Sequence, residues 1–305
     1  MRPYYIDKKG SFDMSIVSLV KTDDTVVGFK ESISQAISLI DYTIDKKIKK
    51  IVIKPNLCYY WDYSTGNTTD PRFVLAVINL IKESASDDVQ ISVIESDASA
   101  MKTKHAFRFL GYEKVLEKSN VNLVNLSDKE YETIDVKIMD EEIKIRVPEI
   151  IKNADLKINV PKIKYMGEGI KITCALKNIF GCIPQSRKYK YHNNLAKTII
   201  AANKAMKFDL TIIDSNIASG VRPKKIGLVA ASDDPVANDV VASKIARVNP
   251  NSISYLKLAQ KEGLGEFNYK IAGESLEYFR KIYPYKTLED HFWSSGYKLY
   301  KSLYK

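Results

Sequence analysis

The fold is decided by residues 51–95, which read Ile51-Val-Ile-Lys-Pro-Asn56, then Asp70-Pro-Arg-Phe-Val-Leu-Ala-Val-Ile-Asn-Leu-Ile-Lys-Glu83, then Val89-Gln-Ile-Ser-Val-Ile-Glu95. Short runs of β-branched residues at 51–53 and 89–94 indicate two buried strands. Between them, Asp70 stands at the N-cap position and Pro71 at the first helical position, a helix-start signature for residues 71–83. The stretch therefore predicts a strand, helix and strand unit, the repeating element of a parallel sheet.

The same alternation of short apolar runs and longer helical patterns continues on both sides of this stretch. Further strands are predicted at 16–20, 121–126, 156–160, 210–213 and 227–231, and helices at 29–42, 105–118, 195–206, 235–247 and 252–262. Residues 136–139 and 143–147 indicate a hairpin around Asp140-Glu141. We expect an α/β fold, a mostly parallel open sheet with helices on both faces, plus a small β-hairpin and a basic loop resembling an active-site loop.

Composition indicates a globular protein of the cytoplasm. The chain has 305 residues, 45% of them hydrophobic, a net charge of +10 and three cysteines. Most of its positive residues are lysine, a composition typical of heat-adapted, archaeal-like and thermostable proteins, which weakens net charge as evidence for nucleic acid. No apolar run approaches the length of a membrane span. We expect one α/β domain over residues 1–265 and a C-terminal extension over 266–305.

Residues 161–192, here called the basic segment, carry seven Lys or Arg residues, one Glu and one His. Connections of this length inside a compact α/β domain are typical of binding or active-site loops. Like charges held close together repel each other unless an anion lies among them. Lys162, Lys164 and Lys177 alternate with Pro, Gly and apolar residues instead of covering one polar helix face. We therefore favour an anion site over a solvated basic loop.

Polar residues also follow the predicted strands at their carboxyl ends, where open α/β sheets bind ligands. Lys54 and Asn56 follow the strand at 51–53, Glu95 and Asp97 follow the next, and Asn159 and Lys162 lead out of the strand at 156–160. Asp214 follows the strand at 210–213. Each residue alone has an ordinary structural explanation as a cap, turn or surface residue. Their convergence on one edge of the sheet is what predicts a site.

Six motifs in order resemble a known family: Lys54-Pro-Asn-Leu57, Thr69-Asp-Pro71, Phe107-Arg-Phe-Leu-Gly-Tyr112, Ile158-Asn-Val-Pro-Lys-Ile-Lys164, Ala175-Leu-Lys-Asn-Ile-Phe-Gly181 and Asp234-Pro-Val-Ala237. Together they are similar to the uncharacterised prokaryotic family called domain of unknown function 362, over about residues 50–245. The resemblance implies no agreed activity. Many relatives carry an added ferredoxin-type segment with closely spaced cysteines, which this sequence does not contain.

The candidate site combines residues that hold an anion with residues that move protons. An anionic carboxylate or phosphate small molecule is the expected partner, and the candidates for binding it are Lys54, Asn56, Asn159, Lys162, Lys164 and Asn178. The candidates for catalysis are His192, Glu95, Asp97 and Lys177, because imidazole, carboxylate and buried amine groups can transfer protons. Whether the protein is an enzyme stays open, as do its substrate and reaction.

Two other chemistries remain as alternatives. Cys58, Cys174 and Cys182 can supply three thiolates to a four-iron cluster, although their spacing matches no closely spaced cluster motif. A divalent metal on Glu95 and Asp97 is also compatible with the sequence. Neither cofactor is favoured.

The C-terminal residues 278–305 allow a third functional hypothesis. They contain nine aromatic and six basic residues, a mixture compatible with nucleic-acid binding. We favour packing of a terminal helix on the domain or on a second subunit of a homodimer, through Phe292, Trp293, Leu299 and Leu303.

Overall fold

The strands and helices follow each other in the alternating order that the sequence predicts. The computed structural model describes residues 14–86, 88–165, 170–220 and 222–285. Its strands are β1 (Ser15–Lys21), β2 (Lys50–Pro55), β3 (Gln90–Glu95), β4 (Asn122–Asn125), β5 (Tyr131–Ile138), β6 (Glu141–Pro148), β7 (Leu156–Val160), β8 (Lys164–Tyr165), β9 (Ile172–Thr173), β10 (Leu210–Ala218), β11 (Lys224–Ser232) and β12 (Tyr269–Gly273). Its helices are α1 (Val26–Ser38), α2 (Pro71–Ser84), α3 (Thr103–Phe109), α4 (Tyr112–Leu116), α5 (Glu149–Lys152), α6 (Ala175–Ile179), α7 (Leu195–Met206), α8 (Pro235–Ile245), α9 (Ser254–Lys261) and α10 (Leu276–Ile282).

Eight strands form one sheet in the order β12-β1-β11-β10-β7-β2-β3-β4. β11 runs antiparallel to both of its neighbours, β1 and β10, and the other neighbouring pairs are parallel. Two small antiparallel hairpins, β5 with β6 and β8 with β9, lie outside this sheet. The predicted α/β fold with a mostly parallel open sheet and a small hairpin is therefore confirmed.

The sheet carries a hydrophobic core on each face because successive residues of a strand point to opposite sides. Ile51 and Ile53 of β2 pack with Phe29 of α1 and Phe73 of α2. Val52, between them in sequence, belongs to the opposite core, which is built largely from α7 and α8. Strands buried on both faces have the continuous apolar character that residues 51–53 show in the sequence.

Two helices of the sheet layers begin at an Asp-Pro pair. The Asp70 side chain accepts a hydrogen bond from the backbone N–H of Arg72 at the start of α2. The Asp234 side chain accepts hydrogen bonds from Val236 and Ala237 at the start of α8. In each case the capping carboxylate satisfies a backbone donor that the first helical turn leaves free, and proline occupies a position that needs no N–H.

The structure differs from the sequence-based expectation mainly in three places. The strand predicted at 210–213 continues to Ala218 as β10, so Asp214 lies within the strand and not after its end. Residues 105–118, predicted as one helix, form α3 and α4, because Gly111 adopts a left-handed conformation with φ of 80° between them. The chain also re-enters the sheet after residue 265, where β12 pairs with β1. The predicted terminal helix falls in residues 286–305, outside the described part of the chain. Among the described residues, we find no helix with both the length and the apolarity needed to cross a bilayer.

Candidate functional site

The carboxyl ends of β2 and β3 meet in a buried ion pair. Lys54 is 1% exposed, and its Nζ lies 2.8 Å from Oε2 of Glu95. The same ammonium donates a hydrogen bond to the carbonyl oxygen of Pro55. Gly181 packs directly against this pair, because a Cβ added there would lie 3.0 Å from Nζ of Lys54. Lys54 is therefore neutralised within the protein and covered by the basic segment.

Three asparagines connect β2, β7 and α6. The Asn178 side-chain amide donates hydrogen bonds to Oδ1 of Asn159, at 2.8 Å, and to the carbonyl oxygen of Lys54, at 3.1 Å. Oδ1 of Asn178 accepts a hydrogen bond from Asn56, and Asn159 donates one to the carbonyl of Ala175. Oδ1 of Asn56 is buried without a hydrogen-bond partner in the described structure. This acceptor is free to bind a donor group of a ligand.

Lys162 is held in a second buried ion pair. Its Nζ lies 3.1 Å from Oδ1 of Asp214, and the two side chains are 2% and 0% exposed. Asp214 also accepts a hydrogen bond from the backbone N–H of Asp70 at the start of α2. The Lys162 ammonium therefore joins β7, β10 and α2, and its charge is already balanced by a carboxylate.

Three other lysines of the basic segment form a cluster, Lys164, Lys177 and Lys188, that we call the lysine cluster. Lys164 and Lys188 are each 8% exposed, and Lys177 is partly buried. Burial and the neighbouring charges of Lys164 and Lys188 lower the pKa of Lys177 to about 8. Burial is also the main cause that lowers the pKa of Lys164. Ion pairing with a carboxylate is absent for all three lysines among the residues that the structure describes.

Lys188 lies where the basic segment crosses the end of β3. Its ammonium donates hydrogen bonds to Oγ of Ser96 and to the carbonyl oxygen of Gly181. Burial lowers the pKa of Lys188 to about 8, and the nearby charge of Lys54 acts in the same direction while Glu95 opposes it. The sequence interpretation did not single out Lys188, although it lies inside the basic segment. Its neighbours Arg187, Tyr189 and Lys190 are basic or aromatic, so the local sequence gives no signal that distinguishes Lys188 from the other basic residues there.

The two acidic candidates are already occupied by other groups. Glu95 accepts hydrogen bonds from Lys54, Leu57 and Ser96. Asp97 binds the ammonium of Lys102 at 2.8 Å and caps α3 through the N–H of Thr103. Burial raises the pKa of Asp97, but these two hydrogen bonds outweigh it and the net pKa is lowered. The net direction follows from the contacts with Lys102 and Thr103.

The three cysteines lie in different surroundings. Cys58 is partly exposed and within hydrogen-bonding contact of Lys164. Burial raises the pKa of Cys174 and raises that of Cys182 to about 12, so both thiols stay protonated near neutral pH. Across the described chain, no group of three or more His, Cys, Asp or Glu residues is arranged to hold a metal ion. The described structure therefore does not bring the three cysteines together as one set of metal ligands.

His192 is the remaining predicted catalytic residue. Its backbone belongs to the 3-10 segment Lys188–Asn194, and its side chain is outside the described part of the protein. His192 therefore stays a sequence-based prediction.

Asp239 of α8 is a buried carboxylate that the sequence interpretation missed. It accepts hydrogen bonds from the backbone N–H groups of Ala175, at 2.5 Å, and Leu176, at 3.3 Å. The Tyr255 hydroxyl donates a third hydrogen bond to it. Burial raises the pKa of Asp239 to about 7, although these hydrogen bonds lower it. Asp239 therefore fixes the start of α6, the helix that carries Lys177 and Asn178. Its sequence signal was the polar pair Asn238-Asp239 inside an apolar helix.

Comparison with known proteins extends the sequence resemblance. A family model described as Domain of unknown function (DUF362) matches residues 51–244. The chain is 27% identical over 235 residues to the thylakoid-associated protein sll1697 of Synechocystis sp., a match that covers 70% of this chain and 68% of that protein.

Among solved structures, the lactate racemase apoprotein from Thermoanaerobacterium thermosaccharolyticum aligns with a TM-score of 0.45 and 12% identity. That alignment covers 76% of this chain, and this chain spans 57% of the racemase chain.

Proposed function

The chain belongs to the Domain of unknown function (DUF362) family, and we propose that this member is an enzyme that binds an anionic small molecule at the carboxyl edge of its sheet. The ligand carries a carboxylate or a phosphate. The lysine cluster, which is part of the basic segment, holds that anion. Oδ1 of Asn56 accepts a hydrogen bond from a neighbouring group of the ligand.

The observation that carries this proposal is the concentration of unpaired positive charge in the lysine cluster. Buried ammonium groups are costly unless a carboxylate or another anion neutralises them. Lys54 and Lys162 each have such a carboxylate, whereas the described residues give none to Lys164, Lys177 or Lys188. An anion bound among these three amines would remove their mutual repulsion and restore their pKa values toward the ordinary range.

The ion-paired lysines and the lysine cluster have different roles in this proposal. Lys54 and Lys162 hold the framework of the site through Glu95 and Asp214. The lysine cluster meets the ligand. Lysine is a compact donor that suits either a phosphate or a carboxylate, so the geometry supports both classes of anion.

Lys177 and Lys188 are also the strongest candidates for proton transfer. A general acid or base works best when its pKa lies near the working pH. The pKa values of both amines are lowered to about 8, mainly by burial. We assign proton transfer to this pair ahead of Glu95 and Asp97, because hydrogen bonds and ion pairs already occupy those two carboxylates.

Calorimetric titration tests the proposal with inorganic phosphate and malonate at low ionic strength. We expect at least one of these anions to bind at pH 7, and we expect its affinity to fall as the pH rises through about 8, where Lys177 and Lys188 lose their protons. Lys164→Met and Lys177→Met should each weaken binding about tenfold or more.

Lys190→Met is the matched control, because Lys190 is an exposed lysine of the same segment and its removal changes net charge equally. The proposal fails if neither anion binds, or if the two cluster variants bind as tightly as Lys190→Met.

A further inference from the structure

An exposed aromatic turn follows the end of β2. Tyr59, Tyr60 and Trp61 are 47%, 40% and 52% exposed, and the turn is closed by a hydrogen bond from the N–H of Trp61 to the carbonyl oxygen of Cys58. Tyr59 adopts a left-handed conformation with φ of 54°, which bulky residues rarely take. Local backbone strain of this kind concentrates at binding sites, where the surrounding structure maintains it.

The aromatic turn begins next to the lysine cluster. At one end, Cys58 contacts the Lys164 amine. At the other end, the Tyr60 hydroxyl accepts a hydrogen bond of 2.9 Å from the N–H of Lys102. Lys102 binds Asp97, and the residue before Asp97 is Ser96, whose hydroxyl contacts Lys188. The turn is therefore anchored beside Lys164 of the cluster through Cys58, and at the start of α3 through Tyr60.

The rings of the turn are arranged with faces available for stacking. Tyr59 and Trp61 have ring centroids 5.8 Å apart and planes tilted by 59°, so they do not cover each other face to face. Tyr60 meets Phe109 edge-on, with centroids 5.7 Å apart. Large aromatic groups that stay exposed next to buried positive charge can bind a ligand that has a planar ring and an anionic group.

We propose that the ligand of this site is a nucleoside phosphate, with its phosphate in the lysine cluster and its base against Tyr59 and Trp61. The inference rests on the proposed function, because it names the chemical class of the anion that the lysine cluster binds. Every nucleobase presents a flat π-face, and stacking on aromatic side chains is largely independent of base identity. The free Oδ1 of Asn56 can accept a hydrogen bond from a ribose hydroxyl or a base amine.

The experiment compares ligands that differ only in the base. Trp61 and Trp293 are the two tryptophans of the chain, so the Trp293→Phe variant reports binding at Trp61 through its fluorescence. The probes are inorganic phosphate, ribose 5-phosphate and the 5′-monophosphates of adenosine, guanosine, cytidine and uridine. We expect at least one monophosphate to bind about tenfold more tightly than ribose 5-phosphate.

Affinity measurements on further variants, made by calorimetry, separate the base contact from the anion contact. Trp61→Ala should remove the advantage of the monophosphate and leave the affinity for ribose 5-phosphate unchanged. Lys177→Met should weaken both ligands. Tyr131→Ala, which removes an exposed tyrosine on β5, should change neither.

The outcomes distinguish this inference from the proposed function. If ribose 5-phosphate binds as tightly as every monophosphate, or Trp61→Ala weakens both ligands equally, the nucleoside assignment is wrong and the anion site remains. If none of these phosphate probes binds, the nucleoside assignment is wrong, and the proposed function is wrong as well if malonate does not bind either.

Discussion

Replacement of Lys177 by methionine should make the protein more stable while it removes anion binding. Burial and the charges of Lys164 and Lys188 lower the pKa of Lys177 from 10.5 to about 8. One pKa unit corresponds to about 1.4 kcal/mol, so the protonated amine destabilises the folded state by at most about 3 kcal/mol. Lys177 is partly exposed, and screening by water reduces this to about 1.5 kcal/mol. Methionine keeps a similar length and a high helix propensity.

The stabilisation should follow pH in a defined direction. The pKa of Lys177 is lower in the folded protein than in the unfolded chain, so between pH 8 and 10.5 the unfolded chain holds more protons. The free energy of unfolding of the wild-type protein therefore rises with pH across this window. The advantage of Lys177→Met should be largest below pH 8 and should vanish near pH 10.5.

Thermal unfolding in Tris chloride, without phosphate or carboxylates, measures the effect. At pH 7 we expect the midpoint of Lys177→Met to exceed that of the wild type by about 2–3 °C. Lys190→Met should match the wild type, since its side chain is exposed. A variant that is less stable than the wild type at pH 7 would show that Lys177 stabilises the fold and is not held there for a ligand.

Two further predictions concern buried groups outside the lysine cluster. Lys162→Met should lower the free energy of unfolding by about 3–5 kcal/mol, because the buried Asp214 loses its ion-pair partner at 3.1 Å. The double variant Lys162→Met with Asp214→Asn should regain most of the lost stability, because it leaves no unpaired buried carboxylate. Urea denaturation measures both variants, and a loss below about 1 kcal/mol for the single variant contradicts the structural role. The raised pKa of Asp239, about 7, means that the folded protein holds more protons than the unfolded chain between pH 4 and 7, so wild-type stability falls as pH rises there. Asp239→Asn should flatten this part of the profile in thermal melts, and parallel profiles for the two proteins would refute the assignment.

The sheet was largely predictable because its strands are short apolar runs and its helices carry clear start signals. Asp70 caps α2 as expected, and residues 51–53 lie in a strand with neighbours on both sides. The break between α3 and α4 was missed because a single glycine, Gly111, interrupts an otherwise helical pattern. The pairing of β12 with β1 was also missed, since it joins segments from opposite ends of the sequence and depends on no local pattern.

The convergence of the candidate residues at one edge of the sheet was predictable, but their contacts with each other were not. The carboxyl ends of β2, β3 and β7 follow from the strand pattern, and Lys54, Glu95 and Asn159 lie there. Sequence alone gives no means of deciding which lysine receives a carboxylate, because that choice depends on contacts between residues far apart in the chain. Lys54 meets Glu95 across 41 positions. The described groups that act on the Lys177 amine are Lys164, Lys188 and the Cys58 thiol, with the Phe180 ring beside it.

The pairing of β12 with β1 also covers a strand edge that would otherwise be open to other molecules. β1 is hydrogen-bonded on one side to β11 and on the other to β12, with Ser15 opposite Tyr269 and Leu19 opposite Gly273. A shortened protein that ended before β12 would leave the apolar strand β1 at the open border of the sheet. Unpaired backbone groups on such a strand recruit strands of other molecules. The short β12, with the exposed Lys270 as its second residue, is an edge strand of the kind that discourages this recruitment.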